Sequence, residues 1–187
     1  MPMDKQMLDI YSDYLISSFS YTTATGLSDA LEGAISHDKI TRFLSAGDYD
    51  SKQLWKLVKP TLRKIESEEG VLIVDDTIEE KQYTDENELI TWHFDHTFGR
   101  NVKGVNILSL LYHNQGITMP VSFQPIQKTE KYIDKKTGRE RRRSSKTKNE
   151  YFREMARVAI IDNKIKCRWI LADVWFSSND NMEYVKF

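Results

Sequence analysis

The spacing of apolar residues divides the chain into a helical first part and a strand-rich second part. Up to residue 69, apolar side chains recur every three or four positions, which is typical of amphipathic helices. The predicted helices run through Leu8 and Leu15 and across residues 27–34, 38–44 and 51–68.

Three residues with special backbone or capping properties refine these helices. Ser36 stands where the N-cap of the third helix is expected. Pro60 lies inside the fourth and predicts a kink or a split there, because proline lacks an amide proton. Gly70 is the predicted end of the helical part.

Beyond Gly70 the pattern changes to that of β-strands. Residues 71–74 are a continuous apolar run that ends in Asp75-Asp76-Thr77, as a buried central strand ends at a polar site. The other strands predicted here cover residues 90–96, which alternate as if one face were buried, and residues 102–112 and 117–126, joined as a hairpin. Pro120 and Pro125 favour an edge position for the last of them.

A second apolar run, residues 167–172, also ends in an aspartate, Asp173. A helix is predicted before it, because Thr147 and Glu150 have the spacing of a capping box. The intervening segment, residues 128–148, has almost no apolar side chains and is expected to be an exposed, mobile connection. Trp169 and Trp175 are interpreted as core residues.

Composition places the chain among globular proteins. Its 187 residues are 40% hydrophobic and 29% charged, which suits one domain, or one domain with a small appendage. No apolar run approaches about 18 residues and the N-terminus lacks an apolar h-region, so neither a membrane span nor a secretory signal is expected. The single cysteine, Cys167, excludes a disulfide framework and a multi-cysteine zinc site. These features predict a cytoplasmic protein.

The charge is distributed unevenly although the formal net charge is only −1. Residues 128–148 contain ten Lys or Arg and three Asp or Glu, a net charge of +7. The rest of the chain has 17 basic and 25 acidic residues, a net charge of −8. A short segment with this much positive charge favours a polyanionic partner.

Asp76 and Asp173 are the candidate chemical groups, since each follows a buried-strand run. If the two strands are neighbours, about 4.8 Å apart, the carboxylates converge and suit a hard cation such as Mg²⁺ or Mn²⁺. The simpler alternative is that each aspartate only caps a turn or helix. His93, Asp95 and His96 could suggest a metal site. Only His93 and Asp95 share one face of the predicted strand, however, and no third ligand is evident, so a structural or hydrogen-bonding role is favoured for these residues.

Two segments resemble the catalytic motifs of bacterial insertion-sequence transposases of the DDE class, and most closely the group with the insertion-sequence-four pattern. Residues 72–77, Leu-Ile-Val-Asp-Asp-Thr, resemble the first motif, and residues 169–176, Trp-Ile-Leu-Ala-Asp-Val-Trp-Phe, resemble the second. The residues between them that are also similar are Asp95-His96-Thr97, Gly99-Arg100 and Val102-Lys103-Gly104. The resemblance covers residues 70–187 and is weaker before them.

This resemblance implies an α/β fold with an RNase-H-like mixed sheet, in which three antiparallel strands precede a helix and a strand parallel to the first. Asp76 and Asp173 would be the catalytic residues and the ligands of Mg²⁺ or Mn²⁺. The family's third ligand is a glutamate in a downstream motif, whereas this sequence ends 14 residues after Asp173 and Glu183 lacks that motif. The expectation is therefore a C-terminally truncated transposase that binds DNA with weak or no catalysis.

Two elements are predicted to contact DNA. The helices over residues 27–34 and 38–44 have helix-turn-helix spacing, with Lys39 and Arg42 exposed on the second. The basic segment supplies the other candidates, Arg139, Arg141, Arg142, Arg143, Lys146 and Lys148. The corresponding domains are a helical DNA-binding region, residues 1–69, and a partial catalytic domain, residues 70–187.

Simpler interpretations stand beside each of these. The helical pair could pack only on itself, and the basic segment could be a solvated loop. The partners implied by the resemblance are transposon terminal inverted repeats, target DNA and a second copy of the chain, near the bacterial nucleoid. A non-catalytic nucleic-acid-binding module and an unrelated Mg²⁺-dependent nuclease are the alternative functions.

Overall fold

The computed structural model describes residues 4–19, 21–47, 49–96 and 98–186, so Thr97 of the sequence motif lies outside them. The chain divides into two compact units, Met1–Tyr49 and Asp50–Phe187. The fourth predicted helix belongs to the second unit, although the sequence grouped it with the helical region. No helix in the described part of the chain is long and apolar enough to cross a membrane.

The first unit consists of three helices around a small apolar centre. Their bounds are Lys5–Ser17 for α1, Ala24–Ala30 for α2 and His37–Ser45 for α3. Met7, Leu27 and Ile40, one from each helix, are buried together. The Ser36 side chain accepts a hydrogen bond from the Lys39 amide, which confirms the predicted N-cap.

Among the residues that the structure describes, the second unit contains three more helices and seven strands. The helices are α4 (Ser51–Ile65), α5 (Lys148–Arg157), which continues as a π-helical turn (Val158–Asp162), and α6 (Asn179–Tyr184). The strands are β1 (Val71–Glu80), β2 (Thr91–Asp95), β3 (Arg100–Asn114), β4 (Ile117–Pro125), β5 (Glu130–Ile133), β6 (Glu140–Arg143) and β7 (Trp169–Ala172). A 3₁₀ turn, Val174–Phe176, follows β7.

Five of the strands form one mixed sheet with β3 at its centre. Strand β1 pairs antiparallel with β3 along one side, from Val71 opposite His113 to Glu80 opposite Gly104. Strands β2 and β4 share the other side of β3 and pair antiparallel with its first and last parts. Strand β7 pairs with β1 in parallel. The predicted α/β architecture with a mixed sheet is confirmed at this level.

One face of the sheet is buried against helices. Along β3, every second residue from Val102 to Asn114 is buried, which is the alternation expected of a strand with one covered face. The buried core includes residues from β1, β3 and the covering helices: Leu62, Leu72, Val74, Leu108, Leu110, Tyr112, Phe152 and Met155.

Helix α4 runs through Pro60 without interruption, so the predicted split is wrong, whereas the alternative, a kink within the helix, stays a prediction. Pro60 and Lys56, whose carbonyl loses its amide donor, are both exposed, and water can therefore hydrate that carbonyl. Nearby Leu62 is fully buried in the core and keeps the helix on the sheet.

The segment 128–148 is exposed over most of its hairpin, as predicted, but it is an ordered connection that contains the antiparallel hairpin of β5 and β6. Two cross-strand ion pairs stabilise the hairpin, Lys131 with Glu140 at 2.9 Å and Arg143 with Glu130 at 2.8 Å. At the turn, the Asp134 carboxylate accepts hydrogen bonds from the backbone and a threonine hydroxyl.

Strand β7 is also more exposed than its apolar sequence suggests. Trp169 and Trp175, interpreted from the sequence as core residues, are each 59% exposed. The reason is position, since β7 lies at the end of the strand order and pairs only with β1 among the described strands.

Candidate functional site

The parallel pairing of β1 with β7 brings Asp76 and Asp173 to one cleft of about 890 Å³. Val74 lies opposite Ala172, so the residues that follow in each strand emerge at the same end of the pair. The other side chains that line the cleft come from β1, β2, the start of α5 and the turn after β7: Asp75, Thr77, Ile78, Phe94, Asp95, His96, Thr147, Lys148, Asn149, Val174 and Trp175.

The alternation of side chains along β1 determines that Asp76, and not Asp75, is the partly buried aspartate. It continues the buried series of Leu72 and Val74 and is itself half-buried, whereas the neighbouring Asp75 is exposed. The side-chain amide of Asn106 donates a hydrogen bond to Asp76 Oδ2 over 3.2 Å. The ammonium group of Lys148 donates to the same oxygen.

These contacts determine the charge state of Asp76. Burial by itself raises its pKa, but the Lys148 ammonium and the Asn106 amide outweigh burial and hold the pKa below its usual value. His96 acts in the same direction. Asp76 is therefore a carboxylate at neutral pH and available as an oxygen ligand.

Lys148 reaches the cleft because it is the first residue of α5. Thr147 and Glu150 form the predicted capping box, in which each side chain bonds to the other's backbone amide. This fixes the start of the helix beside β1. Lys148, which the sequence grouped with the DNA-contacting residues, is thus bound to Asp76 in the cleft.

Asp173 is positioned by the turn that follows it. Phe176 is buried against Phe152 of α5, with ring centroids 5.6 Å apart. The buried Asn181 side chain holds the same turn, because its amide donates to the Phe176 carbonyl over 2.9 Å and its oxygen accepts from Arg153 over 2.7 Å. These contacts tie the chain just after Asp173 to α5, and so to the helix that carries Lys148.

Asn106 has one polar atom that remains unused. Its side chain is fully buried, and its Oδ1 accepts no hydrogen bond from any residue that the structure describes. A buried carbonyl oxygen in this condition normally has a bound water or ion as its partner. The cleft carboxylates are hard oxygen donors of the kind that suits Mg²⁺ or Mn²⁺.

The described residues contain no group of three or more His, Cys, Asp or Glu side chains placed to hold a metal ion. Four aspartates line the cleft, Asp75, Asp76, Asp95 and Asp173, and Asn106 lies behind Asp76, to which its amide donates.

The His93 side chain is buried on the covered face of the sheet and does not line the cleft. Its ring is bonded to the Thr91 hydroxyl at 3.0 Å, and both side chains are buried. Burial, together with the nearby ammonium groups of Lys128 and Lys148, lowers the pKa of His93 to about 4. His93 is therefore neutral at pH 7 and has the hydrogen-bonding role that the sequence favoured. His96, in contrast, lines the cleft against Trp175.

The basic hairpin borders a second groove of about 460 Å³, next to β2. The basic and aromatic residues that line it are Lys128, Arg139, Arg141, Arg142, Trp92 and Tyr132. Some basic groups are already paired, Arg141 with Asp134 and Arg143 with Glu130, whereas Lys146 is bound to Glu154 of α5.

Lys39 and Arg42 are both exposed on α3 in the first unit, as predicted. Arg42 also donates a hydrogen bond to the Asp38 carbonyl of its own helix.

Sequence reasoning did not find Asn106 and Asn181. Asn106 gives a signal that could have been used, because it interrupts an otherwise apolar alternation on the covered face of β3. Asn181 lies in a short polar helix and becomes buried only through contacts with distant residues, so its sequence gives no comparable signal.

Comparison with known proteins gives one positive result. A family model described as DDE superfamily endonuclease matches residues 3–185. No curated protein and no solved structure matches the chain.

Proposed function

Because the chain belongs to the DDE superfamily of endonucleases, we propose that it is an insertion-sequence transposase that nicks and joins DNA through Asp76 and Asp173. The observation that supports this most directly is the shared cleft, to which two parallel-paired strands each bring one aspartate. The order of three antiparallel strands, helix and parallel strand supports an RNase-H-like arrangement of this sheet.

In this proposal Asp76 and Asp173 hold Mg²⁺ or Mn²⁺. Such a cation, when bound, lowers the pKa of an attacking water or 3′-hydroxyl and stabilises charge on the phosphodiester oxygens. Asn106 orients the Asp76 carboxylate through its side-chain amide, which donates a hydrogen bond to Asp76 Oδ2. The turn tied down by Phe176 keeps Asp173 at the cleft.

The basic groove is the proposed contact for the DNA backbone. Lys128, Arg139 and Arg142 supply positive charge there without an ion pair to an acidic side chain among the described residues. Trp92 and Tyr132 add exposed rings, on which an unpaired base can stack. Lys39 and Arg42 on α3 are the proposed contacts of the first unit, and terminal inverted repeats are the proposed substrate.

The test is nicking of a supercoiled plasmid that carries the DNA flanking the gene, with Mg²⁺ or with EDTA. We expect weak Mg²⁺-dependent nicking, and its loss in Asp76→Asn and in Asp173→Asn. Asp180→Asn is the matched control, because Asp180 is exposed on α6 and does not line the cleft. Nicking that survives both cleft substitutions would refute the assignment of the site.

A second candidate is a DNA-binding protein without catalysis. It is favoured by the ion pair that occupies Asp76 and by the lack of a three-residue metal group among the residues that the structure describes. It predicts salt-sensitive DNA binding that is indifferent to Asp76→Asn and to Mg²⁺. Nicking by the wild-type chain that Asp76→Asn abolishes would exclude it.

A further inference from the structure

We propose that Lys148 is an internal counter-cation, which occupies the Asp76 carboxylate until a divalent cation displaces it. The inference rests on the proposed function, because it assumes that Asp76 is a cation ligand. It adds that the chain itself competes with the cation, and that the competing residue is the first residue of α5.

The contacts at Asp76 explain why a cation and Lys148 would compete. The ammonium group of Lys148 and the amide of Asn106 both donate to Asp76 Oδ2. A cation that coordinates this oxygen needs the lone pair that the ammonium group uses. Two positive charges at one carboxylate also repel each other strongly in a partly desolvated site. The Lys148 contact and the divalent cation therefore exclude each other.

Burial explains why the chain supplies a charge of its own at this point. The side chains of Lys148 and Asp76 are only 28% and 25% exposed. A carboxylate this far removed from water, in a cleft shared with other carboxylates, is costly without a positive partner. Lys148 provides that partner when no cation is present.

The lysine side chain can leave without disturbing the fold. Its backbone is fixed by the capping box, but the ammonium group stands at the end of a flexible four-carbon stem. Displacement therefore needs only rotation of that stem within the cleft. Once released, the ammonium group still lies in the cleft lining, where it can meet a DNA phosphate.

Lys146 is a matched control in the same segment. It is also bound to a carboxylate, that of Glu154 at 2.6 Å, but this pair does not line the cleft. Removing either lysine removes one positive charge and one ion pair. Only the change at position 148 frees Asp76.

The experiment measures Mn²⁺ binding by titration calorimetry, with no DNA present. Lys148→Gln is expected to bind Mn²⁺ about tenfold more tightly than wild type, because one charge-assisted hydrogen bond no longer opposes binding. Lys146→Gln is expected to match wild type. Lys148→Arg, which keeps the charge, is expected to stay within about threefold of wild type.

The outcomes separate this inference from the proposed function. Equal or weaker Mn²⁺ binding in Lys148→Gln, with binding in wild type that Asp76→Asn abolishes, would overturn the inference and leave the metal site standing. Tight binding in Lys148→Arg equal to that of Lys148→Gln would overturn it too, since charge would not be the cause. No Mn²⁺ binding by any of these proteins would overturn both.

Discussion

Acidification should destabilise the second unit through one residue, His93. Burial holds its pKa near 4 in the folded chain, whereas the ordinary value is 6.5. Below pH 6.5 the His93 imidazole is protonated in the unfolded chain but stays neutral in the folded chain. The free energy of unfolding therefore falls with falling pH until about pH 4. At about 1.4 kcal/mol for each unit of pKa, the loss between about pH 7 and about pH 4.5 is about 2.5 kcal/mol.

The same pH interval excludes the main competing group. The pKa of Asp76 is lowered by folding from 3.8, so its carboxylate stabilises the fold above that value and loses this effect only at lower pH. The chosen interval lies above 3.8 and therefore isolates His93 from Asp76.

The assay is urea denaturation followed by tryptophan fluorescence. All four tryptophans belong to the second unit, so the signal reports on that unit. His93→Gln keeps a hydrogen-bonding side chain that does not titrate. Over this interval we expect its free energy of unfolding to fall by at least about 2 kcal/mol less than that of wild type, a difference larger than the error of about 0.5 kcal/mol. His113→Gln is the matched control for the substitution itself, because His113 also belongs to the sheet but lies on the less covered face of β3. Equal losses in wild type and His93→Gln would refute the reasoning.

Three further predictions concern packing and charge. Gly104→Ala should lower the free energy of unfolding, measured by thermal unfolding, by more than about 3 kcal/mol. The reason is that the new Cβ would lie 2.2 Å from the Glu79 carbonyl oxygen of the paired strand, and a smaller loss would contradict that close approach. Asn181→Ala should lower the free energy of unfolding by about 2–3 kcal/mol, since the Phe176 carbonyl and the Arg153 guanidinium group lose a hydrogen-bond partner. Asn179→Ala on the same helix should lower it little. The double variant Arg139→Gln/Arg142→Gln should lower the slope of log affinity for DNA against log salt by about two; an unchanged slope would exclude the groove as a phosphate contact.

The strand pattern was predictable where one physical rule dominates. The apolar stretch over residues 102–112 predicted strand β3, although the alternation of its buried residues is not visible in the sequence, because apolar residues such as Val105, Ile107 and Leu111 also occupy the less covered face. The relation between Asp76 and Asp173 was also accessible, since parallel neighbours end at the same edge of a sheet.

Other features depend on contacts that local sequence does not encode. In β2 the polar residues Thr91 and His93 face inward and Trp92 faces outward, because the buried pair bond to each other. Periodicity alone cannot determine which face is covered. The Lys148 contact with Asp76 joins residues 72 positions apart, so a count of positive charges could only place Lys148 in a basic segment.

The unequal pairing of the strands has a consequence for how the two aspartates respond to motion. Strand β3 is bonded on both sides, and opening it means separating β1, β2 and β4 together, so its amides should exchange with solvent only through global unfolding. Asp76 stands on β1, which is paired with β3 along its full length, whereas Asp173 follows a four-residue strand that is hydrogen-bonded to β1 alone among the described strands. The backbone before Asp173 is thus held by fewer sheet hydrogen bonds than that of Asp76, and the position of Asp173 depends on the contacts of Phe176 and Asn181 with α5.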